Sequence, residues 1–314
     1  MTYGAIKFKI FIDFNRNFIV TLLILLSQHD IMRANERGGL PVNKKETYLE
    51  LRDKMVVKAN DLIQKSRFNM TLQQQKMLLF LISQVSPYDE EFKEYEFSIQ
   101  EFCRVCGLDV SSGKNYQDIK QSIKDIADKS VWINVNNDEE TLLRWIEKPY
   151  LNNKSGVIRI RLDEDMKPYL LQLKENFTRY ELIYTLYFKS KYSIRLYELA
   201  KSIHYKELEE YRRTFSVDEL RRILGGETYS EYRDFKRRVL DIAVNEINEY
   251  SDKVISYEPI KKGKSVVAIE LVIGSKSIWD RLQIRSRIEK ELGNNQVTLF
   301  DKVKDLDNDN KAEE

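Results

Sequence analysis

Two stretches of the chain say nearly the same thing. Phe97-Ser98-Ile99-Gln100-Glu101-Phe102-Cys103-Arg104-Val105-Cys106-Gly107 is followed, 118 residues later, by Phe215-Ser216-Val217-Asp218-Glu219-Leu220-Arg221-Arg222-Ile223-Leu224-Gly225. Ser98, Glu101, Arg104 and Gly107 recur as Ser216, Glu219, Arg222 and Gly225, and the apolar positions match in kind. A Ser-x-x-Glu box satisfies two orphan amides at a helix start. A glycine takes the left-handed conformation that ends a helix. Each copy therefore predicts a short capped helix of about two turns.

The likeness extends outward from there. Tyr116, Asp118, Ile119, Lys120, Ile123, Asp125, Ile126 and Ala127 align with Tyr232, Asp234, Phe235, Lys236, Val239, Asp241, Ile242 and Ala243, and their apolar members recur on one face of a helix. Upstream, Thr71 and Gln74 open another capped helix, whose Leu78, Leu81 and Val85 correspond to Leu196, Leu199 and Ile203. Downstream, Val131, Trp132, Ile133 and Val135 lead through Asn136–Glu140 to Leu142, Leu143, Trp145 and Ile146. In the second copy Val254, Ile255 and Tyr257 lead through Lys261-Lys262-Gly263-Lys264 to Val266, Val267, Ile269, Leu271 and Ile273. Alternation around a turn predicts a hairpin. Each copy thus reads as a helix-turn-helix with a β-hairpin wing, and the expected fold class is α+β with two tandem winged-helix domains. The expected limits are an extension at 1–43, a first module at 44–162, a second at 163–275, and a C-terminal helix with an acidic tail at 276–314.

Composition agrees with this reading. The chain has 314 residues, 52 basic against 50 acidic, and only eleven glycines and five prolines. Such a chain forms long elements around ordinary cores rather than extended irregular loops. Two cysteines build no disulfide scaffold and fit a cytoplasmic protein. Lys7, Lys9 and Arg16 precede an apolar run from Phe18 to Leu26, which is too short to span a bilayer and is followed by no small-residue cleavage site. Met32 is the expected initiator, with residues 1–31 lying upstream of it.

Charge on the outward faces points to nucleic acid. With Tyr232, Phe235, Val239 and Ile242 turned inward, Arg233, Asp234, Arg237, Arg238 and Asp241 face out. Arginine's planar fork suits both phosphate and the guanine edge, and a recognition helix reads bases mainly through its early residues. Lys236 lies on the same helix, and the wing turn adds Lys261, Lys262 and Lys264 as a second cationic site. In the first copy the outward residues are expected to be Gln117, Asp118, Gln121, Ser122 and Asp125. Its expected wing turn, Asn136–Glu140, is acidic and would be repelled by phosphate. The second module should then carry most of the DNA affinity, with weaker first-module contacts through Lys114, Lys120 and Lys124.

This arrangement resembles the Rep_3 (RepB/RepE-type) superfamily of plasmid replication initiators, and Val57-Lys58-Ala59-Asn60-Asp61-Leu62-Ile63 with Phe68-Asn69-Met70-Thr71-Leu72-Gln73-Gln74-Gln75-Lys76 is similar to its N-terminal signature. The resemblance runs from about residue 44 to 275. It implies a non-enzymatic initiator that binds directly repeated origin sites (iterons) as a monomer through the second domain, and dimerises through the first to repress its own gene or pair origins. It also implies recruitment of a host initiator and helicase. The tail Gln296-Val297-Thr298-Leu299-Phe300 is similar to peptides that dock on bacterial sliding clamps, so Gln296, Leu299 and Phe300 are candidate clamp contacts.

Other chemistry is weakly signalled. Cys103 and Cys106 have redox spacing, but no second metal-binding pair accompanies them. His29 and His204 are the only histidines and stand far apart. No phosphate loop is present, so no nucleotide, metal or other cofactor is expected. Two alternatives stay open: a dedicated repressor that binds a palindrome as a stable dimer, and a metal-dependent nuclease using Asp163 and Asp165.

Overall fold

Helix starts fall where side-chain oxygens can hold them. In the computed structural model, which describes residues 48–292 apart from 110, 112, 137 and 205–209, Thr71 and Ser98 accept the amide three residues on, while Gln74 and Glu101 return the bond. Ser216 makes the first half, accepting from the Glu219 amide at 3.1 Å. Gly107 and Gly225 end their helices at φ +66° and +71°, a conformation that costs other residues about 1–2 kcal/mol. The Phe18–Leu26 run and the Gln296, Leu299 and Phe300 motif lie outside the described residues.

In chain order the first half contains α1 (Tyr48–Arg52), β1 (Met55–Ala59), α2 (Asn60–Gln64), β2 (Ser66–Arg67), α3 (Leu72–Ser83), β3 (Tyr95–Ser98), α4 (Ile99–Val105), α5 (Gly113–Asp128), β4 (Ser130–Asn134), β5 (Glu140–Arg144), β6 (Tyr150–Leu151) and β7 (Val157–Ile160). A 3-10 turn at Glu164–Met166 leads to α6 (Lys167–Leu170), β8 (Phe177–Glu181), α7 (Leu182–Tyr187), α8 (Lys191–Ile203), β9 (Tyr211–Ser216) and α9 (Val217–Leu224). Then α10 (Tyr232–Phe235) passes through a π-helical turn (Lys236–Leu240) into α11 (Asp241–Tyr250), followed by β10 (Lys253–Lys262), β11 (Ser265–Ser275) and α12 (Ile278–Glu291).

These elements form two winged helices. In the second, β9 feeds α9 and pairs with β11, whose other neighbour is β10, giving the order β10–β11–β9. The matching order in the first is β6–β7–β3, because β3, which feeds α4, pairs with β7. The hairpin expected around Asn136–Glu140 does form, as β4–β5, but it pairs with β2 and is an addition to the module rather than its wing. Buried Trp145 and Ile146 are the reason. Ile146 bridges Leu162, and the Glu147 and Asp163 amides donate to Arg161 and Trp145 carbonyls at 3.0 and 3.2 Å. The chain thus leaves β4 after Arg144 and follows the strand that runs out of β7.

The two modules share a seam. Strands β1 and β8 pair from Met55↔Glu181 to Ala59↔Phe177, so main-chain bonds cross the limit expected between residues 162 and 163. Helix α8 packs beneath them. Its Glu198 meets Lys58 Nζ at 2.6 Å and accepts the Tyr180 hydroxyl, all three side chains being buried. Burial pushes the Lys58 ammonium down, and Glu198 opposes that shift. Arg195, also buried, donates to Ile223, Ser66 and Ile63 carbonyls at 2.9, 3.2 and 3.4 Å and stacks 4.4 Å over Phe68. Helix α12 returns to the first module, where Arg52 donates to the Arg104, Val105 and Leu292 carbonyls. Arg285 of α12 pairs with Asp53, Glu181 and Glu289. Cys103 and Cys106 are core residues of α4 and its cap, and burial pushes the Cys106 thiol up to about 12.

Two outcomes follow from this packing. Lys58→Met strands a buried carboxylate and should cost about 3–5 kcal/mol in chemical denaturation, while Lys58→Met/Glu198→Leu should cost much less. The native protein at pH 8 should leave both thiols unreacted with a thiol reagent such as DTNB and release them only on unfolding, because the thiolate is the reactive form.

Candidate nucleic-acid interface

Phe235, Val239, Leu240, Ala243 and Ile247 are fully buried and fix the core side of α10–α11. Arg233, Arg237 and Arg238 are exposed on the other side, as their spacing predicts. Ile242 departs from expectation, being 41% exposed rather than inward. The π turn is the cause. The Asp241 amide donates to the Lys236 carbonyl, five residues back, so one extra residue is wound in and later positions shift around the axis. In the first module Ile126, the repeat partner of Ile242, lies on the α-helix α5 and is 2% exposed.

The same turn explains an unusual ion pair. Lys236 and Asp241, five apart, meet at 2.8 Å, whereas neighbours on an α-helix are three or four apart. Tyr257 of β10 donates to the same carboxylate at 2.5 Å. Burial acts to raise Asp241, but Lys236 and Tyr257 outweigh it and hold the carboxyl below its usual range. Lys236 is raised by its bond to Asp241 and stays charged. It therefore ties the helix to the wing as well as adding charge. Arg237 pairs with Asp234 at 3.2 Å, with side chains 66% and 34% exposed. Such a surface pair is worth about 0–1 kcal/mol and yields readily to phosphate or a base. Arg238 lies 6.0 Å from the Tyr229 ring, and Arg233 has no ion pair among the described residues. Arg222 on α9, exposed beside this helix in sequence, is a cation the spacing argument passed over.

The wing is long. Its strands pair from Lys253↔Ser275 to Lys262↔Ser265, with Gly263 at φ +63° in the turn. Ile269, opposite Pro259, is the last fully buried residue toward the tip, and beyond it Val266 still packs against the core while Ile260 is exposed. Lys261, Lys262 and Lys264 are exposed at that tip and have no ion pair among the described residues.

The first module presents a smaller version. Lys114, Gln117, Asp118, Lys120, Gln121 and Lys124 are exposed on α5. Ser122 and Asp125, expected outward, are instead buried and half-buried. The Ser122 hydroxyl donates to the Asp118 carbonyl at 2.8 Å, and Asp125 accepts from Gln74 and Gln121 at 2.7 Å each. The wing beside α5 is the β6–β7 turn Asn152-Asn153-Lys154-Ser155-Gly156. The Asn152 side chain accepts the Lys154 and Ser155 amides, Gly156 sits at φ +67° against Tyr116, and Lys120 donates to Asn153 at 3.0 Å. Lys154 is exposed there. This corrects the acidic wing: Asp138, Glu139 and Glu140 belong to the added hairpin, where Glu140 pairs with Arg67. The missed signal was a polar, glycine-closed turn between Tyr150-Leu151 and Val157–Ile160. The added hairpin shows apolar residues instead, with Trp132 and Leu142 opposed on its outer face at 44% and 51% exposure.

Asp163 and Asp165 play a local part. The Asp163 carboxylate accepts the Asp165 amide at 3.1 Å and caps the 3-10 turn. Among the described residues no three metal-ligating side chains converge, and no helix is long and apolar enough to cross a membrane.

The described geometry has counterparts. Residues 55–201 match the family model "Initiator Replication protein, WH1", and residues 216–273 match "Initiator Rep protein, WH2". A replication initiation protein of Escherichia coli is 25% identical over 254 residues, covering 78% of this chain and 75% of that one. The crystal structure of Pi initiator protein in complex with iteron DNA superposes with a TM-score of 0.61 at 17% identity, over 72% of this chain and 99% of that one. Matched in both modules and over well more than half of its length, the chain belongs to the initiator replication protein family, whose WH1 and WH2 domains it carries in tandem.

Proposed function

We propose that the chain is a non-enzymatic initiator of plasmid replication that binds directly repeated origin sites and autoregulates its own gene. The observation that carries this is the joining, in one module, of an arginine-rich helix to a lysine-tipped wing through Lys236, Asp241 and Tyr257. A solved relative bound to iteron DNA supports the repeats as target. Arg233, Arg237 and Arg238 enter the major groove, where arginine reads guanine, while Lys261, Lys262 and Lys264 hold backbone. Lys114, Lys120, Lys124 and Lys154 add first-module phosphate contacts. Trp132 and Leu142 are the centre of a homodimer contact, leaving DNA-bound monomers and repressing dimers in equilibrium. Host initiator, helicase and, through Gln296, Leu299 and Phe300, the sliding clamp are the cytoplasmic partners.

Arg237→Ala should cost about 1–3 kcal/mol on the cognate repeat and less on random duplex. Lys262→Ala should weaken both alike and lower the slope of log K against log salt by about one. Binding titrations at several salt concentrations measure both, and equal losses for Arg237→Ala on cognate and random DNA would make it a phosphate contact. Light scattering tests the dimer: Trp132→Glu/Leu142→Glu should be monomeric at concentrations where the parent chain dimerises.

A further inference from the structure

We propose that Ile242 is a specificity-determining residue, contacting the 5-methyl group of a thymine in the major groove one helical turn beyond the base met by Arg237. This rests on the reading of α10–α11 as the recognition helix and adds to it a base that the arginines do not name.

Three observations place the side chain. Two flanks of the helix are occupied: Lys236 and Asp241 face the wing through Tyr257, and Arg238 faces Tyr229. The core side is taken by Phe235, Val239, Leu240, Ala243 and Ile247. Arg237 and Ile242 lie between those flanks. They are five apart, the same spacing that brings Lys236 onto Asp241, so the π turn stacks them on the outward surface.

An exposed isoleucine alone is commonplace. This one is exposed because the backbone leaves α geometry, while its repeat partner Ile126, on an unbroken α-helix, is buried. A π turn has a poorer hydrogen-bond ladder and gathers at functional sites. Its effect here is to carry one branched apolar group out of the core and into a row of arginines. Among base edges in the major groove the apolar feature is the thymine methyl. Isoleucine, stiff at χ1, presents its methyls to it with little side-chain freedom left to lose.

The test uses the full chain and a duplex selected by it from a random-sequence pool. Each thymine of that duplex is replaced singly by deoxyuridine, which removes only the methyl, and dissociation constants are measured for the parent chain, Ile242→Val and Ile242→Ala. At one position the parent should lose about fourfold, the transfer free energy of one methyl. Ile242→Ala should bind the thymine duplex weakly and be indifferent to that replacement, with Ile242→Val between. Thermal melts matching the parent show that the exposed substitution leaves the fold intact. A full deoxyuridine response retained by Ile242→Ala, or no sensitive thymine at all, overturns the proposal. If instead Arg233→Ala/Arg237→Ala/Arg238→Ala still separates selected from random duplex as well as the parent does, the recognition-helix reading itself fails.

Discussion

Arg195 is buried without a carboxylate of its own and is held by carbonyl oxygens from both halves of the chain. It sits where α2 and α9 end, and helix C-termini carry partial negative charge. The face of Phe68 adds a cation–π contact. One turn on, Glu198 is neutralised by Lys58. Burial disfavours the charge on Arg195, and Glu198 with Tyr180 counters it. Each member is tolerable only while the others stay, so α8 cannot slide or rotate without stranding a charge in a medium of low dielectric.

That constraint reaches the cationic helix and wing of the second module. Helix α8 is the floor beneath β1–β8 and lies between the WH1 strands and the WH2 helices. The Glu246 carboxylate of α11 accepts the amides of Lys189 and Ser190 at the start of α8, so the arginine-bearing helix is registered against the same spine. The wing is fixed in turn by Asp241 and Tyr257. The arginine-bearing helix and the lysine-tipped wing are thus parts of one connected body.

Much of this was legible beforehand, because it rests on local rules. The capping boxes at Thr71 and Ser98, the glycines at 107 and 225 and the lysine-tipped hairpin need only neighbours in sequence. What was not legible depends on distant partners. Asn136–Glu140 reads as the first wing because it follows the helix directly, as in the second copy. The choice of β7 over β5 as partner of β3 is made by Trp145 and Ile146 burying themselves elsewhere. Ile242 was assigned inward by counting 100° per residue, a rule that fails once the ladder slips to five. The charges of Lys58, Arg195 and Glu198 gave no hint of burial, since composition alone sends such residues to the surface.

Gly107 shows how far the interleaving goes. A Cβ added there would lie 2.8 Å from Leu292 Cδ2, and the Leu292 carbonyl is held by Arg52, so the chain's last described turn is fitted into a notch in its first module. The two winged helices are therefore keyed to each other at this notch. A chimaera that exchanged one winged helix alone would set the Gly107 notch against a C-terminal turn not fitted to it.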